Sequence, residues 1–247
     1  IAQGLVYTQS LEPDNIYVSD IDHHQLKKLA ESGIQTSTEN QWVCQQKPDI
    51  IILAVKPWLI ENVLDNIKDQ VSQDQIIISI AAGVQLSTLE AKLGPEQPLM
   101  IAIPNTAISI GESVTSLATH SVTGNHLDAV IALFNQMGTS LLLDESSLKA
   151  ATILASCGIA FAFRFLRAAT EGGVESGLKP SIAAKMAAQV MKGAAEMIQF
   201  YDSHPEEEID KVTTPKGITI VGLNEMEENG FSGAVIKGMR RSFQKLS

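Results

Sequence analysis

Three short, almost wholly apolar runs recur in the first half of the chain: Asp49–Val55, Ile76–Ile80 and Leu99–Ile103. A strand wetted on one face alternates polar and apolar residues. A run that is apolar at nearly every position suits a strand covered on both faces, as in a parallel sheet. The links between the runs have helical spacing. Leu59–Val71 places Ile60, Val63, Leu64 and Ile67 on one face, and Leu86–Leu93 forms a shorter helix. Upstream, Asn15–Asp20 reads as a strand with a polar end. His24–Ser32 reads as a helix with Leu26, Leu29 and Ala30 on one face and Gly33 as its stop. This alternation predicts an α/β fold, a doubly wound parallel sheet with right-handed crossovers. Val114–Ala118 and Ser140–Leu143 are expected as edge strands around a Leu127–Met137 helix.

From Ser146 the texture changes. Leu148–Thr170 reads as one long helix bent at Gly158, followed by helices at Ser181–Phe200, Ile218–Glu228 and Ser232–Leu246. The boundary is expected at Asp144–Ser147, giving domains 1–145 and 146–247. Helices of the second half are rich in alanine, from Ala150 to Ala195, and too apolar to be hidden by a bundle of this size. A dimer built through this half is therefore expected. Glu206-Glu207-Glu208 reads as a solvated helix start.

Composition narrows the partners. The 247 residues carry a formal charge of −10, from 28 acidic and 18 basic side chains. That balance argues against nucleic acid and against anionic membrane surfaces. No apolar run reads as long enough to span a bilayer, and no signal peptide is read at the start. Two cysteines without CxxC spacing, Cys44 and Cys157, fit a reducing cytoplasm. The five histidines show no metal spacing, so no metal site is expected, and there is no GxSxG elbow or P-loop. Cys157, on an alanine-rich helix, reads as a buried structural thiol.

Ligands of doubly wound sheets bind outside the carboxyl ends of the strands. Three such ends carry polar residues. Ser19-Asp20 ends the first strand, where Asp20 either accepts from a ribose or caps the next helix. Lys56-Pro57 ends the second, with Lys56 near a diphosphate or merely solvated. Pro104-Asn105-Thr106 ends a third, with the Asn105 amide holding a nicotinamide carboxamide or closing its own turn. Far downstream, Val212-Thr213-Thr214-Pro215-Lys216-Gly217-Ile218-Thr219-Ile220 sets hydroxyls, a proline and a glycine before a helix. Such a turn suits a small carboxylate; alternatively Thr213 or Thr214 simply caps the helix, with Pro215 in its first turn.

Taken in order, Ala54-Val55-Lys56-Pro57, Ser79-Ile80-Ala81-Ala82-Gly83, Pro104-Asn105-Thr106 and Val212–Ile220 resemble the pyrroline-5-carboxylate reductases over almost the whole chain. Glu227, Gly230, Phe231 and the last helix also resemble the family. The resemblance implies a Rossmann-like dinucleotide-binding domain, then an all-helical dimerisation domain, with dimers often gathered into rings. It implies reduction of 1-pyrroline-5-carboxylate to L-proline with NADPH or NADH. By the same resemblance Thr219 serves the imine nitrogen, while Thr214, Lys216, Gly217 and Ile218 hold the substrate carboxylate. Cofactor contacts fall to Ser19, Asp20, Asn40, Ala54, Val55, Lys56, Pro57, Ala81, Pro104 and Asn105. Absence of an Arg beside Asp20 leans slightly towards NADH.

Three departures from the family pattern stand out. Its Gly-rich phosphate loop is not seen; Ile1–Val6 reads like the helix that follows such a loop, so further residues are expected upstream. Its Gly-Ser-Gly-Pro-Ala segment appears as Ser156-Cys157-Gly158-Ile159-Ala160. Its Ser-Pro-Gly-Gly-Thr-Thr appears as Thr214-Pro215-Lys216-Gly217-Ile218-Thr219, where Lys216 takes positive φ less freely than glycine. The alternatives are a reductase of a related cyclic imine, a β-hydroxyacid dehydrogenase, or a non-catalytic homologue. The dehydrogenase needs a catalytic lysine on the long helix, and Ser156–Ala160 has none.

Overall fold

In this computed structural model, which describes residues 1–246, the chain divides into two compact units, Ile1–Ser156 and Cys157–Lys245. The first unit opens with helix α1 (Ala2–Tyr7) and then alternates: β1 (Tyr17–Ser19), α2 (His23–Ala30), β2 (Gln35–Ser37), α3 (Asn40–Gln45), β3 (Ile50–Leu53), α4 (Ile60–Ile67), β4 (Ile76–Ser79), α5 (Leu86–Leu93) and β5 (Leu99–Ile103). β1 pairs with β2, and β3, β4 and β5 pair in turn, all parallel. The hydrogen bonding records two sheets, β1-β2 and β3-β4-β5-β6-β7.

The apolar runs behave as their composition demands. Every residue of β4 and of β5 is buried. One face packs Leu64, Ile67, Leu86 and Leu89 from α4 and α5 against Ile77, Leu99 and Ile101. The opposite face packs Leu5, Val130, Phe134 and Met137 against Ile78 and Met100. Helices on both faces of the strands are what double winding means physically.

Two expectations are corrected beyond β5. The strand β6 (Ser113–Thr119) runs antiparallel to β5 and lies inside the sheet, between β5 and β7 (Gly138–Leu142). It is therefore no edge strand, and Thr115, Leu117 and Ala118 are fully buried. The reason is the link: a short helical turn, Thr106–Ile110, ends at Gly111 with φ 76°, too brief for a crossover, so the chain returns beside itself. Helix α6 (Gly124–Asn135) then covers the face. Gly138 has φ 133°, and a Cβ there would meet the Ser113 carbonyl oxygen at 2.1 Å.

After β7 the turn Glu145–Ser147 leads into α7 (Leu148–Thr152) and a π-helical turn, Ile153–Cys157. Leu148 joins the buried cluster of the first unit, which carries that unit past the expected divide at residue 145 to Ser156.

The second unit is all helical: α8 (Gly158–Glu175), α9 (Pro180–Tyr201), α10 (Pro205–Val212), α11 (Ile218–Glu228) and α12 (Phe231–Lys245). Ala183 is its one buried residue among those described. Phe200 is 82% exposed and Val190 68%, and Phe161, Phe165, Met226, Phe231 and Val235 line an open apolar hollow of about 730 Å³. The helical run Glu145–Glu175, 31 residues, is long and apolar enough to cross a membrane by length and composition. That corrects the expectation that no segment is; its charged residues are simply too sparse to interrupt it, and a helix buried in a protein core or interface passes the same test.

Candidate functional site

The carboxyl ends of the parallel strands carry most of the sequence-derived cofactor candidates. After β1, the Ser19 hydroxyl donates to Asn40 Oδ1 at 2.9 Å, joining the strand end to the first turn of α3. Asp20 does not cap α2. Its carboxylate accepts from the Asp22 amide at 2.9 Å, and Asp22 is the cap, accepting from the amides of His24 and Gln25. Asp20 stays exposed. After β3, Ala54, Lys56 and Pro57 are exposed, Val55 is half-buried against the core, and Pro57 starts a short turn, Pro57–Leu59, ahead of α4. The helix expected over Leu59–Val71 is thus α4 with a short 3-10 turn at each end.

After β4, Ala81 is buried and its amide donates to the Ser79 hydroxyl at 3.3 Å, while Ala82 and Gly83 are exposed and Gly83 has φ 83°. After β5, Asn105 is heavily engaged. Its Oδ1 accepts from the Ala107 amide at 2.9 Å, and its own amide donates to the Ser113 hydroxyl at 3.1 Å. Its Nδ2 donates to the Ala155 carbonyl at 3.5 Å. The Asn105 side chain therefore closes its own turn first, and one Nδ2 hydrogen remains for a ligand.

This edge fits a dinucleotide. Exposed backbone at Ala54, Lys56 and Ala82-Gly83 leaves room for close approach, and the Ser19–Asn40 pair and Asp20 offer acceptors and donors of the kind a ribose uses. One of the helices behind it shows the same tight packing: a Cβ on Gly4 of α1 would sit 2.1 Å from the Ile108 carbonyl oxygen.

The second constellation lies wholly in the helical unit. Thr213 faces backwards, its hydroxyl donating to the Asp210 carbonyl at 3.2 Å. Thr214 to Gly217 forms a tight turn closed by Gly217 N–H to the Thr214 carbonyl at 2.8 Å. Pro215 takes its first corner and Lys216 its second, with Lys216 at φ 61°. Left-handed geometry that glycine takes most freely is here taken by lysine. Gly217, not Thr213 or Thr214, is the N-cap of α11, and no side chain caps the helix. That corrects the capping alternative: Pro215 lies in the turn before the helix, not in its first turn. It also corrects the role of the Gly217 amide, which is committed inside the turn. The uncommitted first-turn amides begin at Ile218. Lys216 and Thr219 are exposed, and the Lys216 ammonium makes no ion pair among the described residues.

Among the described residues no group of three or more His, Cys, Asp or Glu side chains could hold a metal ion. Sequence reasoning missed Asp22, whose signal was a capping residue two positions after Asp20, and it missed the π turn, which has no local signature.

Residues 145–247 match the family model described as pyrroline-5-carboxylate reductase dimerisation, and residues 1–83 match one described as NADP oxidoreductase, coenzyme F420-dependent. The chain is 38% identical to pyrroline-5-carboxylate reductase 1 of Dictyostelium discoideum, covering all of this chain but 47% of that protein, so it spans about half the length of that relative. It is 37% identical to the pyrroline-5-carboxylate reductase of Methanosarcina acetivorans, covering 98% of this chain and 92% of that one. Among solved structures, the Plasmodium falciparum pyrroline carboxylate reductase with NADP bound superposes with a TM-score of 0.87 at 26% identity, covering 99% of this chain and 91% of the other.

Proposed function

The chain belongs to the pyrroline-5-carboxylate reductase family, and from that premise we propose that it reduces 1-pyrroline-5-carboxylate to L-proline with NAD(P)H. A bound NAD(P)H supplies the hydride. The protein supplies position, charge and a proton.

The observation that carries this reading is the Thr214–Thr219 turn. Closure of the turn on Gly217 leaves the first amides of α11 uncapped, and the Thr214 hydroxyl lies against Gly217, the residue just before them, a set of donors matched to one carboxylate. The amides of Ile218 and Thr219 and the Thr214 hydroxyl bind the substrate carboxylate. The Thr219 hydroxyl holds the ring nitrogen, where a protonated imine is the better hydride acceptor. Lys216 adds a cation on the same turn. Ser19, Asp20 and Asn40 hold the adenosine side of the cofactor. Ala54 to Pro57, Ala81 and Pro104-Asn105 line its path along the strand ends.

The helical unit self-associates as a homodimer, and dimers gather into a larger ring. The exposed apolar hollow at Phe161, Phe165 and Phe231 supports a helix-mediated contact. The enzyme works in the cytoplasm and away from membranes, as its acidic balance and two free cysteines favour.

The test is oxidation of NADPH and of NADH by the full-length protein with 1-pyrroline-5-carboxylate, followed by cofactor absorbance. Rapid oxidation that yields proline is the expected result. A folded protein that binds cofactor but leaves this substrate untouched would overturn the reading, and other cyclic imines and hydroxyacids become the next substrates.

A further inference from the structure

The turns after β4 and β5 are both tied to one segment, Glu145–Ser156, to which neither the hydride nor the substrate chemistry assigns a role. At its start, Glu145 Oε1 accepts from the Leu86 amide at 2.7 Å, across 59 positions of sequence. Leu86 is the first residue of α5, and the N-cap of that helix, Gln85, contributes no side-chain cap. A carboxylate from elsewhere in the chain thus does the capping and complements the helix dipole. In its middle, Leu148 is buried among Leu86, Leu89 and Ile103. At its end the backbone passes into the π turn Ile153–Cys157, whose shifted hydrogen bonding loosens the usual ladder. There the Ala155 carbonyl accepts Asn105 Nδ2 at 3.5 Å, and the Ser156 hydroxyl donates to the Pro104 carbonyl at 3.5 Å.

We propose that Glu145–Ser156 is a positioning strap for the dinucleotide edge, and that Glu145 is the residue on which it most depends. This rests on the reading that NAD(P)H binds along these strand ends. The loop before α5 is short and open: Ala82 and Gly83 are exposed, and Gly83 is left-handed. The loop carries a turn bond from the Val84 amide to the Ala81 carbonyl at 3.3 Å, but no side chain of its own caps α5. With its first amide paired to Glu145, the loop Ala81–Gln85 has a fixed far end. With that amide unpaired, the first turn of α5 frays and the loop wanders. The Asn105 and Ser156 contacts do the same for the β5 turn, so one segment sets the spacing of two cofactor-facing turns.

The experiment compares Glu145→Ala and Glu145→Gln with the wild type, in the full-length protein, by direct NADPH titration and by steady-state kinetics. Glu145→Ala is expected to weaken NADPH binding about tenfold, the scale of one hydrogen bond to a charged group, and to raise KM for the cofactor in parallel. The KM for 1-pyrroline-5-carboxylate and kcat stay near wild type. Glu145→Gln keeps a neutral acceptor and recovers most of the binding. Three results overturn the proposal: Glu145→Ala binding NADPH like the wild type, Glu145→Gln failing as badly as Glu145→Ala, or a loss shared by kcat and both KM values. A wild type that binds no NADPH brings down the functional reading itself, and this inference with it.

Discussion

The Thr214 hydroxyl occupies the space that any side chain at residue 217 would need. A Cβ on Gly217 would lie 2.5 Å from Thr214 Oγ1 and 2.9 Å from the Thr214 carbonyl oxygen. The hydroxyl can turn away about χ1, but the carbonyl oxygen closes the turn and cannot retreat without opening it. Gly217→Ala should therefore lower kcat/KM by at least about tenfold. Its effect on global stability stays within about 1 kcal/mol, because the turn is exposed. Kinetics together with denaturant unfolding separate the two. Normal kinetics in the alanine variant would mean that the turn geometry has no part in catalysis.

Lys216 is the strained partner in the same turn. Its φ of 61° is a region that asparagine visits more readily than lysine. Lys216→Asn should stabilise the protein by about 0.5 kcal/mol, read by denaturant midpoint. It should also raise KM for the imine carboxylate a fewfold and blunt the dependence of that KM on salt, because the nearby cation is gone. An unchanged KM and salt profile would leave Lys216 without a role in binding.

Thr219 is exposed at the second position of α11, and among the described residues its hydroxyl has no side-chain hydrogen bond. Thr219→Ala should cut kcat by about a hundredfold, the lower end of what a positioned proton-transfer group contributes, and leave the melting curve within about 0.5 kcal/mol. Thr219→Ser should restore most of the rate. A full rate in the alanine variant would assign the imine nitrogen to another group.

Lys92 on α5 bridges to Asp65 at 2.8 Å and to Glu61 at 3.5 Å, both on α4. The hydrogen bond from Lys92 holds the Asp65 carboxyl below its ordinary range, and Asp65 in turn pushes the Lys92 ammonium up. A depressed carboxyl contributes stability above its unfolded pKa and loses it as pH falls. A raised ammonium contributes below its unfolded pKa and loses it as pH rises. Lys92→Met should therefore melt lower than the wild type at neutral pH, with the gap closing below about pH 4 and above about pH 10. A gap that is constant across pH would mean that the ion pair adds nothing. Its exposed setting makes the neutral-pH gap small.

Much of this was legible in the sequence because the long-range environment wrote itself into composition. β4 and β5 could be read because strands covered on both faces have no polar positions to confuse the pattern. Helix α5 fell on its predicted bounds, Leu86–Leu93, since Gly94 stops it with φ 88° and ψ 164°, a conformation that glycine alone takes readily. By contrast, β2 and α3 escaped notice: Gln35-Thr36-Ser37 is short and polar, Asn40–Gln45 is too short to show a helical period, and tertiary packing decides both. The antiparallel return of β6 depended on the length of a turn rather than on its own residues. In the site, the positive φ of Lys216 was foreshadowed only by the resemblance, which sets glycine there, since a turn with Pro215 at its first corner closes with either sign of φ at the second. Glu145 and the π turn were not, because each acts on residues more than forty positions away.

The near absence of buried residues in α8 to α12 has a consequence for how the protein behaves on dilution. On the homodimer proposed above, the apolar side chains of these helices find cover against another copy, and folding is then coupled to association by mass action. The melting temperature is then a function of protein concentration rather than a constant. Dilution alone should then lower that temperature, with no residue changed.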